Sequence, residues 1–343
     1  MTRRAVLILP GRGTYNAGEL GYLKRHHADR VDLIARFDAI REAAGEVPVS
    51  TLDGAEKFSL SRYSRGDVAS PLIAACALAD ATALADDIEI VAVSGNSMGW
   101  YLALAAGGAV TPEDGFRIVN TMGGLMQAQL IGGQLVYPWM GVDWVPEAAR
   151  KADLLAQVEE IGAREGQALA LSIDLGGMLV LAGDEAGLAA FEAAVPRVND
   201  RFPMRLPNHA AFHTRLQAPV AALGRDALAR SIFHQPAKPL IDGRGHIWWP
   251  GASDPARLHD YTLGHQVTEA YDFTAAIRMA AREFAPDLFI VTGPGDTLGG
   301  AVAQSLVACG WRGLGSKADF TQVQEAEGLL ASMGRSDQRG HVT

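Results

Sequence analysis

One serine in this 343-residue chain stands in a setting suited to nucleophilic chemistry. The segment Gly95-Asn96-Ser97-Met98-Gly99 directly follows an apolar run, residues 88–93, and precedes an Ala/Leu-rich stretch. G-x-S-x-G between a strand and a helix is a nucleophile elbow, whose glycines permit the sharp turn that lifts the Ser97 Oγ above the sheet. The helix N-terminus behind it favours developing negative charge, and the Met98 N–H is placed to donate to an oxyanion. A bare Gly/Ser-rich turn would share the residue types, but strand, elbow and helix together favour chemistry. A serine nucleophile needs a base, and the chain holds nine histidines. His26 and His27 lie in the charged segment 24–30, which reads as a solvated helix face. His234, His246, His259, His265 and His341 sit among polar or turn residues and carry no motif. His209 and His213 are left as candidates, and physical chemistry alone does not separate them.

The elements that must position these groups alternate. Short apolar runs bounded by Gly and Pro exchange with longer segments of helical period, the pattern of an α/β fold with a mainly parallel sheet. Residues 5–9 form a buried strand that runs into the loop Pro10-Gly11-Arg12-Gly13. Residues 71–85 read as a helix and 88–93 as a second strand. Thr111 caps a further helix, with Pro112 in its first turn and Asp114 three residues on. From 132 to 203 the texture changes. The expected order is strand 134–140, helix 146–164, strands 168–173 and 178–182, and helix 185–195, a small α+β unit like a split βαβ arrangement. The catalytic core then comprises 1–131 and 204–330, with a helix after His213, a strand at 287–291 and a helix from Thr297. Residues 331–343 are expected to be a flexible, frayed tail.

Composition bounds the function. Hydrophobic residues make up 48% of the chain, enough for a sizeable core. The net charge of −9 argues against nucleic-acid binding. An acidic carrier protein as partner would need a local basic patch on this surface. The two cysteines imply no disulfide framework, and Cys76, in the apolar run 73–78, reads as core. The basic start is followed by an apolar run too short for a signal peptide, and no stretch is long enough to span a bilayer. A cytoplasmic protein is expected. There is no P-loop, no G-x-G-x-x-G fingerprint and no metal-ligand cluster.

Six separated segments resemble the malonyl-CoA:acyl-carrier-protein transacylase family, which includes the acyltransferase domains of fatty acid and polyketide synthases. Leu9-Pro10-Gly11-Arg12-Gly13 resembles the family's F-P-G-Q-G, and the elbow resembles G-H-S-x-G. Gly123-Gly124-Leu125-Met126-Gln127 is similar to R-G-x-x-M-Q, and residues 206–213, LPNHAAFH, to the segment carrying the catalytic histidine. Gln266 falls in a segment like R-Q-L-x-x-P-V-x-W, and residues 292–298, TGPGDTL, look like V-G-P-G-x-x-L. Order and spacing hold from residue 5 to about 310. The resemblance implies a large α/β-hydrolase-like core with a small ferredoxin-like subdomain inserted. It further implies Ser97 as nucleophile, His213 as base, Gln266 orienting the imidazole, and the backbone N–H groups of Arg12 and Met98 as oxyanion hole. An acyl group would pass from acyl-CoA to an acyl carrier protein, with no bound cofactor beyond the CoA thioester as substrate.

The departures bear on the substrate. Where malonyl-transferring members carry the Arg of R-G-x-x-M-Q, this chain has Met122, which cannot pair a carboxylate. Either the pocket takes a neutral acyl chain, with Met122 as adaptable lining, or a carboxylate is held from elsewhere, with Arg12 as candidate. Arg12 replaces the family's Gln; alternatively only its N–H matters and the side chain points to solvent. Asn96 replaces the family His and Trp100 the usual Glu, so Trp100 either narrows the acyl tunnel or packs in the core. Tyr271 and Phe273 stand where pocket residues would, and Phe212 is a large neighbour for His213. Admitting water to the same dyad would give an acyl-thioester hydrolase, the alternative function. A generic α/β-hydrolase should place its histidine near the C-terminus, where only His341 occurs.

Overall fold

The computed structural model describes residues 2–343. Its strands are β1 (Arg3–Leu9), β2 (Ile88–Gly95), β3 (Gly133–Pro138), β4 (Leu169–Leu175), β5 (Met178–Gly183), β6 (Met204–Arg205), β7 (Leu240–Ile241), β8 (Ile247–Trp248), β9 (Tyr271–Asp272), β10 (Leu288–Val291) and β11 (Leu330–Ser332). They form two sheets. The larger has the order β11-β10-β1-β2-β7-β8 and is parallel except for the β7–β8 hairpin. β1 and β10 are buried almost throughout, as a sheet covered on both faces requires. The expected α/β core with a mainly parallel sheet is therefore the one observed.

The helices that matter for the site are α1 (Gly66–Ala81), α2 (Gly99–Ala106), α3 (Pro112–Gln129), α4 (Ala148–Gly162), α5 (Glu185–Ala194), α6 (Ala218–Ala227), α7 (Phe273–Phe284), α8 (Thr297–Ala308) and α9 (Ser336–Arg339). α1 starts five residues before the expected 71 and contains Pro71 in its second turn. Proline has no N–H to give the Asp67 carbonyl four residues back, and that carbonyl accepts instead from the Arg41 guanidinium at 3.2 Å. Every residue of α1 from Gly66 to Asp80 except Asp67 is buried, as an Ala/Leu helix apolar on nearly all sides should be. The N-terminus of α3 forms as the residues predict, the Thr111 hydroxyl accepting from the Asp114 N–H at 3.1 Å.

The small sheet has the order β6-β3-β5-β4-β9. β3, α4, β4, β5, α5 and β6 follow one another with antiparallel pairings among their strands, which is the ferredoxin-like arrangement. Its own apolar cluster, including Leu135, Tyr137, Ile161, Leu181 and Phe191, fills the space between sheet and helices. The unit is not closed at 203. β6 extends it to Arg205, and β9 of the core joins β4 in parallel register, so the insert shares a strand with the domain that carries it.

Two expectations fail at the far end of the molecule. The C-terminal segment is docked: Arg339 is buried, with Nη1 2.8 Å from Asp80 Oδ1 and 3.0 Å from the Tyr22 hydroxyl. The Val342 side chain is also buried, and its carbonyl accepts from the Ala85 N–H. His27 does not sit on a solvated helix face. It is fully buried with Nε2 2.6 Å from the same carboxylate oxygen, Asp80 Oδ1. Local charge density suggested solvent for both segments; one buried carboxylate brought in from α1 drew them inside, because a buried charge must be paired.

Candidate active site

The elbow works by close approach. A methyl group on Gly95 would lie 2.2 Å from the Gly99 backbone, and one on Gly99 would lie 2.1 Å from the Leu9 carbonyl oxygen. Only glycine fits either place. Between them Ser97 adopts φ 56°, a left-handed conformation that a non-glycine residue enters at a cost and that raises its Oγ above the end of β2. The loop after β1 is packed on the same turn: the Asn96 N–H donates to the Leu9 carbonyl at 3.0 Å, and a methyl on Gly11 would meet the Asn96 oxygen at 2.7 Å. Arg12 and Met98 thus sit on two adjacent loops at the mouth of the same cavity. Neither N–H has a hydrogen-bond partner among the described residues.

Of the two candidate histidines, the fold brings His213 to the serine. Ser97 Oγ lies 2.7 Å from His213 Nε2, and His213 Nδ1 is 2.6 Å from the backbone carbonyl of Gln266. That carbonyl accepts the Nδ1 proton, which leaves Nε2 free to accept from the Ser97 hydroxyl. Gln266 therefore orients the imidazole through its main chain. Its side chain does other work, donating from Nε2 to the Ser97 carbonyl at 3.0 Å and accepting from the Tyr101 hydroxyl at 2.8 Å. Burial pushes the His213 imidazole down to about 4, partly offset by the bond to Gln266. At neutral pH it is an unprotonated base. His209 lines the cavity with Nδ1 donating to the Pro207 carbonyl at 3.0 Å. Burial, with the Arg12 charge second, takes it down to about 3.

His213 owes its position to the small subdomain. It too has a positive φ, 57°, in the loop after β6. The neighbouring Phe212 carbonyl accepts from the Ser172 hydroxyl of β4 at 2.8 Å, and Ser172 accepts from the Gln134 amide of β3 at 2.7 Å. Both side chains are buried, so their polar atoms must be satisfied internally. The sequence reading missed Gln134, Ser172 and Tyr101. The signal available for two of them was a polar residue set between apolar neighbours in a strand, Gln134 in β3 and Ser172 between Leu171 and Ile173 in β4.

The cavity has a volume of about 330 Å³ and lies between core and insert. Asn96, Met122 and Phe212 are among the residues that line it. Met122 also packs its sulfur on α6, where a methyl on Gly224 would lie 2.6 Å from Sδ. Trp100 does not line the cavity. α2 turns it into the core, where its Nε1 donates to Thr262 at 3.0 Å and its ring meets Tyr261 edge-on. Tyr271 and Phe273 are likewise not pocket walls. Tyr271 packs behind the His213 ring, centroids 5.4 Å apart, and donates to the Gly95 carbonyl at 2.5 Å, while Phe273 is core. The Arg12 side chain does not point to solvent; it runs along the cavity wall to the Ser64 carbonyl, 2.7 Å from Nη2. Among the described residues no group of His, Cys, Asp and Glu is arranged to hold a metal ion, and no helix is long and apolar enough to cross a membrane.

Comparison with known proteins agrees with the motif resemblance. The chain is 26% identical over 212 residues to the malonyl CoA-acyl carrier protein transacylase of Salmonella typhimurium, a match covering 61% of this chain and 63% of that protein's length. No family model matches. Among solved structures, the acyl-carrier-protein S-malonyltransferase of Burkholderia pseudomallei superposes with a TM-score of 0.76 at 20% identity, covering 98% of both chains. The malonyl-CoA:acyl carrier protein transacylase of Xanthomonas oryzae gives 0.75 at 20%, over 99% of this chain and 98% of its own. The acyltransferase domain from the second module of the salinomycin polyketide synthase gives 0.71 at 20%, over 98% of this chain and 70% of that one. At such identities the structural likeness speaks for the fold. In fold and in the order of its motifs, this chain is similar to the malonyl-CoA:acyl-carrier-protein transacylases.

Proposed function

We propose that the protein transfers an acyl group from acyl-CoA to an acyl carrier protein through an ester on Ser97. The observation that carries this is the 2.7 Å contact between Ser97 Oγ and His213 Nε2, with Nδ1 already committed to a carbonyl. In the first half-reaction the Ser97 Oγ attacks the thioester carbonyl carbon while His213 Nε2 takes its proton. The oxyanion so formed lies where the Arg12 and Met98 N–H groups can donate to it. The C–S bond then breaks, the imidazolium returns the proton to sulfur, and CoA thiol leaves. In the second half-reaction the carrier's thiol gives its proton to His213 and attacks the ester, and Ser97 regains the proton as it departs. A neutral hydrogen-bond acceptor behind the imidazole is adequate, because thiolates are good leaving groups and His213 only shuttles one proton.

Further support comes from a relative of the same fold, a type II polyketide malonyl-transacylase whose structure is in complex with its acyl-carrier protein. The test is intact-protein mass spectrometry after incubation with a series of acyl-CoA thioesters, with and without a carrier protein. A stable adduct on the native chain, absent in Ser97→Ala and discharged only by carrier, is expected. Prompt release of free acid without carrier would instead make the protein a thioester hydrolase.

A further inference from the structure

We infer that Asp80 and the C-terminal Arg339 are positioning residues for the reaction, holding the turn Gly293-Pro294-Gly295 against the loop that presents the Arg12 N–H to the oxyanion. The inference rests on the reading of that N–H as half of the oxyanion hole. It gives a role to two features that supply no atom to the dyad, the turn of the TGPGDTL segment at 292–298 and the docked C-terminus.

The loop after β1 depends on what packs against it. It contains Gly11 and Gly13, and the main-chain N–H groups of Gly11 to Tyr15 have no hydrogen-bond partner among the described residues. Its far end is tied down, since the Tyr15 hydroxyl donates to Asp53 at 2.7 Å. Thr14 closes it from within, its hydroxyl donating to the Gly11 carbonyl at 3.3 Å. Thr14 in turn rests on Gly295, which has a φ of 68° and where a methyl would collide with the Thr14 carbonyl. A methyl on Gly334 would likewise collide with the Gly295 carbonyl. Residues 334, 295 and 14 are therefore stacked backbone on backbone, with no side chain between them to absorb a shift. A displacement of the turn passes to Thr14, and through it to Arg12.

The turn itself hangs on Asp80. Pro294 has no N–H to give. Of the turn's two glycines, only Gly293 finds a partner for its N–H among the described residues, Asp80 Oδ2 at 2.7 Å. The Tyr22 hydroxyl donates to the same oxygen at 2.8 Å. The other oxygen, Oδ1, meets Arg339 Nη1 at 2.8 Å and His27 Nε2 at 2.6 Å. Arg339 Nη1 also reaches the Met333 carbonyl at 3.2 Å, one residue before Gly334. The guanidinium thus grips both the carboxylate that holds the turn and the chain that covers it. Asp80 and His27 are fully buried, and Arg339 is nearly so. A buried ion pair is a poor source of net stability, because desolvation offsets most of the attraction and apolar side chains of similar volume hold segments together as well. What it supplies is direction: a carboxylate fixes the distance and angle of the N–H it accepts, which a cluster of methyl groups does not. Segments far apart in the chain converge on this one carboxylate, and the turn it fixes lies behind the oxyanion loop.

The experiment follows two readouts in the native protein, Arg339→Ala and Arg339→Lys, at a temperature where circular dichroism shows each folded. One is the single-turnover acylation of Ser97 by acyl-CoA; the other is the set of backbone amide resonances of Arg12, Gly13 and Thr14 in the 15N-labelled protein. Phe37→Leu, at a buried ring stacked on Phe116, is the control for lost stability alone. Arg339→Ala should lower the maximal acylation rate about 10-fold, with the half-saturating thioester concentration within twofold, and should shift or broaden the three resonances. Millimolar guanidinium chloride, which refills the space left by the side chain, should restore both readouts, whereas urea at the same concentration should not. Arg339→Lys should fall between, and Phe37→Leu should leave both readouts at native values. A native acylation rate in folded Arg339→Ala would overturn the inference. So would a rate loss with the three resonances unmoved, or the same losses in Phe37→Leu. Should Arg339→Ala fail to fold, Arg339→Lys carries the same test. If no thioester acylates native Ser97, the acyl-transfer reading fails, and the resonances alone decide whether Arg339 holds the loop.

Discussion

His213 donates from Nδ1 to the main-chain carbonyl of Gln266 at 2.6 Å, while the Gln266 side chain holds the carbonyl of Ser97. One residue thus fixes both partners of the dyad, and only half of its contribution resides in the side chain. Gln266→Ala should therefore retain the imidazole tautomer and lower the acylation rate only about 10-fold, the cost of one or two hydrogen bonds. His213→Ala should lower it by about 10³-fold or more. Stopped-flow measurement of CoA release decides between them. A loss in Gln266→Ala as large as in His213→Ala would mean that the amide, and not the carbonyl, orients the base.

The acid limb of the pH–rate profile follows from burial of the base. A histidine shifted from 6.5 down to about 4 is neutral, and able to accept the serine proton, across the whole range above that value. The single-turnover acylation rate should stay level from pH 8 to pH 5.5 and fall toward pH 4. The same shift affects stability in the same direction: between the two values the unfolded chain binds more protons, so stability drops as pH falls through this window. Circular dichroism at each pH separates titration from unfolding. A half-maximal rate near pH 6.5 in a folded protein would show that the imidazole is solvated.

Ser172 acts on the reaction through the main chain of Phe212. Ser172→Ala removes its bond to the Phe212 carbonyl and frees the loop that carries His213. A drop of about 10-fold in kcat with KM within twofold is expected. The position of the acid limb should not move, which separates misplacement of His213 from a change in its environment.

Trp100 is core, so its substitution should be read in stability and not in acyl preference. Trp100→Ala should cost about 3–5 kcal/mol in urea unfolding. Trp100→Phe should cost less and leave the relative rates for short and medium acyl thioesters unchanged. A shift toward longer chains in Trp100→Phe would return the residue to the acyl tunnel.

Arg339 tests the docked C-terminus. Arg339→Ala leaves Asp80 in a dry site with its contacts to His27, Tyr22 and the Gly293 N–H but without the guanidinium, a change worth about 3–5 kcal/mol where a buried pair is broken. Burial would raise the Asp80 pKa, but bonds from His27, Arg339 and Tyr22 hold it below the ordinary carboxylate value. Stability should accordingly be lost as pH falls through the lowered Asp80 value, and less steeply in the variant. A stability unchanged by Arg339→Ala would show the segment to be dispensable.

What the sequence determined by itself were features written in local patterns. The alternation of apolar runs, the change of texture near 132 and the glycines around Ser97 each depend on residues close together in the chain. These led directly to the parallel core sheet, the ferredoxin-like insert and the nucleophile elbow. Tertiary structure decided what depends on contacts between distant segments. His213, not His209, meets Ser97 because Gln134 and Ser172, far upstream, hold its loop. The orientation of Trp100 was set by Thr262 and Tyr261, and that of Arg12 by Ser64 and Phe212. The polar tail was drawn inside by Asp80, because a buried carboxylate requires partners and Arg339 and His27 were within reach. Periodicity carries the first kind of information, whereas pairing and burial across the fold carry the second.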